Sequence, residues 1–269
     1  KNPIIRTWLL VKLAVAYAAA RFGIFNTAKK YPVGSLGDLV KDYMRADLIV
    51  FTNGGYLRSQ KGITQSLNLL MQISHFAFAK LTSAKKIVAP ISFGPFGYAW
   101  HERVSAWALR GLDIVALRED LSYQHAKRYN IENVERREDL ALALEKLDTK
   151  KPADEFIVGF TIRKWLRETD QQKLEQIFED ALADFAKNHA AAIRPIVQVD
   201  APEFGDIDFK ITSRIAFRLQ HRGVRVLPIE KVRSVEHGCA IFGELDILLG
   251  MRMHSNIIAA TQGVPFVAI

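Results

Sequence analysis

A single cysteine, Cys239, in 269 residues leaves nothing from which to build a disulfide framework or a cysteine-ligated metal cluster, and suits a reducing compartment. With no CxxC and no neighbouring base motif, its expected role is packing. Acid is the scarcer charge: 29 Asp and Glu stand against 37 Lys and Arg, a formal net charge of +8 with a pI near 9.5. That balance suits an anionic partner, whether phosphorylated substrate, acidic polymer, lipid head group or nucleic acid, and equally a plain basic surface. A full membrane-spanning run is missing. Trp8–Ala20 is apolar, but Lys12 interrupts it and Arg21 ends it, short of the ~20 residues a span requires. No signal peptide, internal repeat or low-complexity tract is visible, and 49% apolar with 25% charged residues is ordinary globular composition. The chain starts at Lys1 and stops at Ile269 within an apolar run, and reads as truncated at both ends.

What is present is an alternation of apolar runs and amphipathic stretches. Residues 1–30 read as helix, with Ile5, Leu9, Leu13 and Tyr17 at i, i+4 spacing and no acid anywhere in the segment. A packed surface helix and a membrane-facing amphipathic helix both fit that pattern. Strands are expected at Asp47–Thr52, Lys86–Ile91 and Asp113–Leu117, with helices between them and an alanine/leucine helix after Asp139. The polar stretch Asp148–Glu155, which contains Pro152, reads as a linker. Beyond it come a strand at Phe156–Ile162, a helix at Glu168–Asn188, a strand at Ile193–Val199 and a helix at Asp206–His221. A strand at Val224–Leu227 and a helix over most of Lys231–Phe242 complete the pattern. Within Glu168–Asn188, residues Leu174, Ile177, Phe178, Leu182 and Phe185 share one face. Two runs of βα units imply an α/β chain of two doubly wound Rossmann-like domains, 1–150 and 151–269, facing each other across a cleft.

Chemistry concentrates at the expected carboxyl ends of strands, the edge at which parallel sheets bind ligands. Gly54 and Gly55 follow the first strand, which permits close backbone approach or a tight turn. Ser92 to Gly97 (SFGPFG) follows the second, and Arg163 follows the strand after the linker. The last stretch, Leu245–Ile269, carries an apolar run ending at Gly250, then Arg252 and His254, a short helix and a final strand. A guanidinium beside the amino end of a helix makes an anion site. The remaining histidines (75, 101, 125, 189, 221 and 237) are scattered without ligand spacing, so no metal is expected.

These residues resemble the polysaccharide pyruvyl transferases. The matching pieces are Asn53-Gly54-Gly55-Tyr56-Leu57, Ser92-Phe93-Gly94-Pro95-Phe96, Arg118-Glu119, an acid near Asp139, and Gly159-Phe160-Thr161-Ile162-Arg163. The most specific is Gly250-Met251-Arg252-Met253-His254 with Gly263-Val264-Pro265 behind it. Asn53 stands where the family usually has glycine, and Met253 where leucine is commoner. The resemblance implies a GT-B type fold whose amino-terminal strand and closing helix are absent from this chain. It also implies transfer of pyruvate from phosphoenolpyruvate to two hydroxyls of a sugar in an exopolysaccharide or cell-wall glycan, forming a ketal. Phosphoenolpyruvate is then the donor substrate and no cofactor is called for. Arg163 and Arg252 would bind its anionic groups and His254 would act in catalysis beside Arg252. Gly54, Gly55, Ser92 and Gly94 would line the substrate site, the first domain serving the acceptor and the second the donor. The implied acceptor is a saccharide or lipid-linked oligosaccharide and the implied location is the cytoplasm; a lipid-linked acceptor would give the basic first helix a reason for peripheral contact at the inner membrane face. Two other readings remain open: a GT-B glycosyltransferase using a nucleotide-sugar, and a binding module for an acidic polymer. The aromatic residues are not interleaved with Lys and Arg, which argues against nucleic acid.

Overall fold

The computed structural model describes residues 3–22, 35–52, 54–149, 155–164, 168–201 and 206–269. They fall into two compact units, Lys1–Leu140 and Ala141–Ile269. The first opens with helices α1 (Pro3–Arg21) and α2 (Ser35–Arg45), followed by β1 (Leu48–Phe51), β2 (Gly54–Leu57), α3 (Ile63–Ala79) and β3 (Lys85–Phe93). It continues with α4 (Ala99–Leu109), β4 (Ile114–Leu117), α5 (Asp120–Arg128) and β5 (Val134–Arg136). All the pairings are parallel, in the order β1-β3-β4-β5. β1 pairs with the first part of β3, and β2 takes over along the same edge, with Gly54 opposite Ile91 and Leu57 opposite Phe93. The glycine pair expected in a loop therefore lies in a strand, and Ser92 lies within β3 rather than after it. The reason is that β3 outruns β1, and its remaining backbone groups need partners.

The core of this unit is formed by strand residues, among them Phe51, Leu57, Val88, Ile91, Val115 and Leu117, against Leu69, Ile73 and Phe76 of α3 and Leu109 of α4. Phe51 and Phe76 stack with ring centroids 4.0 Å apart. α1 and α2 do not join that core. They make their own cluster with α3, built from Leu13, Ala16, Val40 and Phe78. His101 on α4 is fully buried between two hydroxyls, Ser59 at 2.6 Å from Nδ1 and Ser66 at 2.9 Å from Nε2. Burial pushes its pKa below the ordinary histidine value.

A 3-10 turn, Leu140–Ala143, straddles the limit between the units, where a longer helix was expected. The second unit continues with β6 (Ile157–Thr161), α6 (Glu168–His189), β7 (Ala192–Val197), the two-residue strands β8 (Asp200–Ala201) and β9 (Asp206–Ile207), and α7 (Asp208–His221). The unit closes with β10 (Glu230–Lys231), α8 (Val235–Gly243), β11 (Ile247–Gly250), α9 (Met253–Thr261) and β12 (Phe266–Ala268). The expected strand at Val224–Leu227 is reduced to one bridge, Ile193 to Val226, and the edge strand is β10. α8 starts later than expected because Ser234 caps it, its hydroxyl accepting from the His237 amide at 3.1 Å.

The second sheet is parallel in the order β10-β7-β6-β11-β12. β6 is buried along its whole length, as a central strand covered on both faces should be. Val158, Phe160 and Ile162 pack against Phe178, Leu182 and Ile215 of α6 and α7. On the other face Ile157 and Leu248 meet Cys239, Phe242 and Ile258 of α8 and α9. The chain between the expected strands also belongs here: Leu144 packs on that second cluster. The Leu147 amide donates to Gln262 Oε1 at 2.8 Å, and Gln262 Nε2 donates to the Glu145 carbonyl at 3.1 Å. The boundary thus falls at Leu140, ahead of the expected one at residue 150. Residues 150–154 of the expected linker lie outside the described residues.

Candidate functional site

Strand order reverses in the second sheet between β6 and β11, and a parallel sheet opens a crevice at such a point. There Thr161 and Gly250 are register partners, and the Met251 amide still donates to the Thr161 carbonyl at 3.0 Å. Two residues beyond these partners stand Arg163 and Arg252, at equivalent places past the ends of adjacent strands. His254 is exposed in the first turn of α9. The fold therefore gathers all three expected residues of this half at one sheet edge.

Local packing explains the motif. A Cβ on Gly250 would lie 1.8 Å from Asn256 Oδ1, so only glycine fits beneath that side chain. Asn256 Nδ2 donates to the Gly250 carbonyl at 3.2 Å, and its amide donates to the Arg252 carbonyl at 3.2 Å, closing the turn from strand into helix. Ser255 Oγ donates to Gln198 at the end of β7, which ties the start of α9 to a third strand end.

The sequence reading missed the partner of Arg252. Asp208, 1% exposed at the start of α7, accepts from Arg252 Nε at 2.9 Å and Nη2 at 2.6 Å, a bidentate pair. Asp208 Oδ2 also accepts from the Val199 amide at 3.3 Å, so the carboxylate is built into the β7–α7 connection. One edge of the Arg252 guanidinium is thereby engaged and its orientation set. An acid in the first turn of a helix reads as a dipole complement, which is why nothing in the sequence marked Asp208. Behind Arg163, Gln171 donates to its carbonyl at 3.3 Å, and the buried Glu175 beside Gln171 is held by Arg214 Nε and Nη2 at 2.9 and 2.8 Å.

The four expected residues of the first unit gather at the carboxyl end of β3. A cavity of about 710 Å³ opens there, lined by Ser92–Phe96, Arg58, Glu102, Arg118, Glu119, His125 and Arg128 among others. Ser92 Oγ donates to Glu119 Oε1 at 2.6 Å and accepts from Arg118 Nε at 2.9 Å. Arg118 Nη1 donates to the buried Asp139 at 2.8 Å, and Ser122 Oγ donates to Glu119 Oε2 at 2.8 Å. Burial pushes the Glu119 carboxyl up, but the hydrogen bonds from Ser92, Ser122 and Arg118, with the Arg118 charge, outweigh it and hold the group below its usual value.

Gly94 has φ +88°, and its amide donates to the Leu57 carbonyl at 2.8 Å. Gly55 lies beside the arginines: a Cβ there would be 3.6 Å from Arg58 Nε and 3.7 Å from Arg118 Nη2. His125, set aside in the sequence for want of ligand spacing, is an additional lining residue, paired with Glu102 and packed on Phe93. Its spacing of 31 residues from Gly94 gives no local signal. Among the described residues no three His, Cys, Asp or Glu side chains group as metal ligands would.

No curated protein matches the chain. Among solved structures it is similar to one from Listeria monocytogenes assigned as a UDP-N-acetylglucosamine 2-epimerase, at TM-score 0.55 and 11% identity over 95% of this chain and 62% of the other. A second UDP-N-acetylglucosamine 2-epimerase gives TM-score 0.53 and 11% identity, covering 96% of this chain and 60% of that one. The chain thus spans about three fifths of the length of these structures. At this identity they speak for the fold alone, which is α/β with two parallel sheets and GT-B-like. The family profile of the polysaccharide pyruvyl transferases matches residues 2–269, and the chain belongs to that family.

Proposed function

We propose that this chain transfers pyruvate from phosphoenolpyruvate to two hydroxyls of a sugar in a cytoplasmic step of exopolysaccharide or cell-wall glycan synthesis. The products are a pyruvate ketal and inorganic phosphate. The observation that carries the reading is the matched placement of Arg163 and Arg252 just past the paired strand ends Thr161 and Gly250, with exposed His254 next to them. Phosphoenolpyruvate carries a carboxylate and a phosphate, and two separately mounted guanidiniums suit those two charges. Asp208 then serves as the positioning residue that holds the Arg252 plane.

The chemistry balances without a cofactor. The methylene carbon of the enol takes a proton and becomes the methyl group, leaving an oxocarbenium-like centre. One sugar hydroxyl attacks that centre and loses its proton. The bond to phosphate breaks, and a second hydroxyl closes the ketal as its proton leaves with the phosphate. An exposed imidazole at the helix start can move such protons, a contribution of about 10²–10⁴-fold. The acceptor's place in this reading is the cavity at the end of β3, lined by Ser92, Gly94, Arg118 and Glu119, with Gly54 and Gly55 on the strand β2 paired beside it.

The test is phosphate release from phosphoenolpyruvate against a panel of saccharide acceptors, with mass spectrometry for the added pyruvate. Loss of either guanidinium (Arg163→Ala or Arg252→Ala) should raise KM for phosphoenolpyruvate about 10–100-fold, the worth of a hydrogen bond to a charged group. His254→Ala should lower kcat instead. A His254→Ala protein with near wild-type turnover would refute the assigned role. Thermal protection by UDP but not by phosphoenolpyruvate would move the assignment to a nucleotide-sugar enzyme.

A further inference from the structure

α1 is apolar on two faces, and the fold uses only one of them. Leu13 and Ala16 are buried against α2 and α3, with Leu9, Leu10, Tyr17 and Ala20 packed beside them. The opposite stripe carries Ile4, Trp8, Val11, Val15 and Phe22, which are 74%, 59%, 56%, 65% and 76% exposed. Their spacing of four, three, four and seven residues keeps them on one side of a helix. A lone exposed Leu or Val is unremarkable, but a continuous stripe of this size on a soluble surface marks a contact. The charges that α1 itself carries are of one sign. Arg6, Lys12 and Arg21 are basic, and the helix has no acid in its 19 residues. Lys12 is half-buried at the border of the stripe, and Arg6 is half-buried on the packed face, bonded to α3. Lys12 Nζ lies over the Trp8 ring, 3.5 Å from its centroid.

We infer that α1 lies in the plane of an anionic lipid surface. In this arrangement Ile4, Trp8, Val11, Val15 and Phe22 enter the boundary between headgroups and acyl chains, while Lys12 and Arg21 meet the headgroup phosphates. An interfacial helix needs an apolar face, an amphipathic aromatic at the boundary and flanking bases whose apolar stems can snorkel. All three are present. The basic residues of α1 are attracted to an anionic leaflet, and the Trp8 ring suits the boundary between headgroups and acyl chains. By length and composition α1 is also able to cross a membrane. Spanning, however, would carry Arg6 and Lys12 into hydrocarbon, where each basic side chain is costly. It would also strip Leu13, Ala16 and Tyr17 from α3, and break the bonds from Arg6 to Asn68 and to the Thr64 carbonyl. Lying on the surface keeps every one of these contacts. The inference stands on α1 alone and is independent of the proposed reaction.

The experiment is flotation of the 269-residue chain with phosphatidylcholine vesicles, with and without phosphatidylglycerol, at low and high salt, alongside its sedimentation in the absence of lipid. The wild type should float with phosphatidylglycerol vesicles, lose that binding as salt rises, and stay behind with pure phosphatidylcholine. A Trp8→Glu/Val15→Glu double variant changes only exposed positions, so its unfolding temperature should hold while its flotation falls to the neutral-vesicle level. Lys12→Glu tests the charge separately and should shift the salt dependence. No flotation of the wild type, or equal flotation on neutral and anionic vesicles, overturns the inference. So does a wild type that forms a dimer abolished by the double variant while vesicles remain unbound, because a second copy would then be the occupant.

Discussion

Asp208 and Arg252 show how far the setting of one guanidinium depends on a residue distant in sequence. Both side chains are almost wholly buried, 1% and 11% exposed, and they meet through two hydrogen bonds. Removing one member of such a pair leaves an uncompensated charge. Asp208→Ala should therefore cost about 3–5 kcal/mol of stability, read by urea unfolding. It should also raise KM for phosphoenolpyruvate through the released guanidinium. A merely structural Asp208 would move the first number and leave the second alone. Gly250 was legible in the sequence as part of a motif, but the motif does not say why glycine is needed. The structure supplies the reason, since Asn256 Oδ1 occupies the space a Cβ would fill. Asp208 was not legible, because a pair separated by 44 residues leaves no local trace.

Helix α6 shows where an apolar period misleads. Periodicity places Ile177 on one face with Phe178 and Leu182. In the fold Ile177 is 67% exposed, while Glu175 and Glu179 are 1% and 4% exposed. Arg214 and Arg218 on α7 and Arg222 just past its end, each four residues apart, reach across to those two carboxylates. The inward face of α6 is thus chosen partly by the cations of its neighbour, information that α6 itself does not hold.

A comparable polar contact joins α3 and α4 through His101. A histidine whose pKa is lowered by folding binds fewer protons in the folded state than in the unfolded one. Its contribution to stability is complete above the unfolded value of about 6.5 and is lost as pH falls from there through the folded value. His75 on α3, likewise lowered by burial, acts in the same sense. The unfolding temperature should decline as pH drops below about 6.5, and His101→Gln should flatten that decline in a calorimetric pH series.

At the scale of the whole chain, the alternation of strands and helices was readable because parallel strands buried on both faces are near-continuous apolar runs. The limits of the units were not, because the alanine/leucine stretch after Leu140 reads as one more helix ahead of the polar linker, yet it is fastened to the second unit by Leu144 and by the two Gln262 hydrogen bonds. A fragment covering 141–269 should accordingly unfold cooperatively by circular dichroism. One covering 151–269, without those contacts, should show a lower midpoint and a broader transition. The exchange of β1 for β2 along one edge of β3 was hidden for a similar reason: strand length is settled by the partner, and the glycines alone suggest a turn.

Cys239 sits 3% exposed among Ile157, Ile196, Phe242 and Leu248, and burial, with the nearby Glu236 carboxylate, pushes its thiol pKa up. As the sole thiol in the chain it is a built-in stopwatch for one half of the molecule. A disulfide reagent added to the native protein should colour only as fast as α8 and α9 lift from the second sheet. Breathing confined to the first sheet would leave the solution clear.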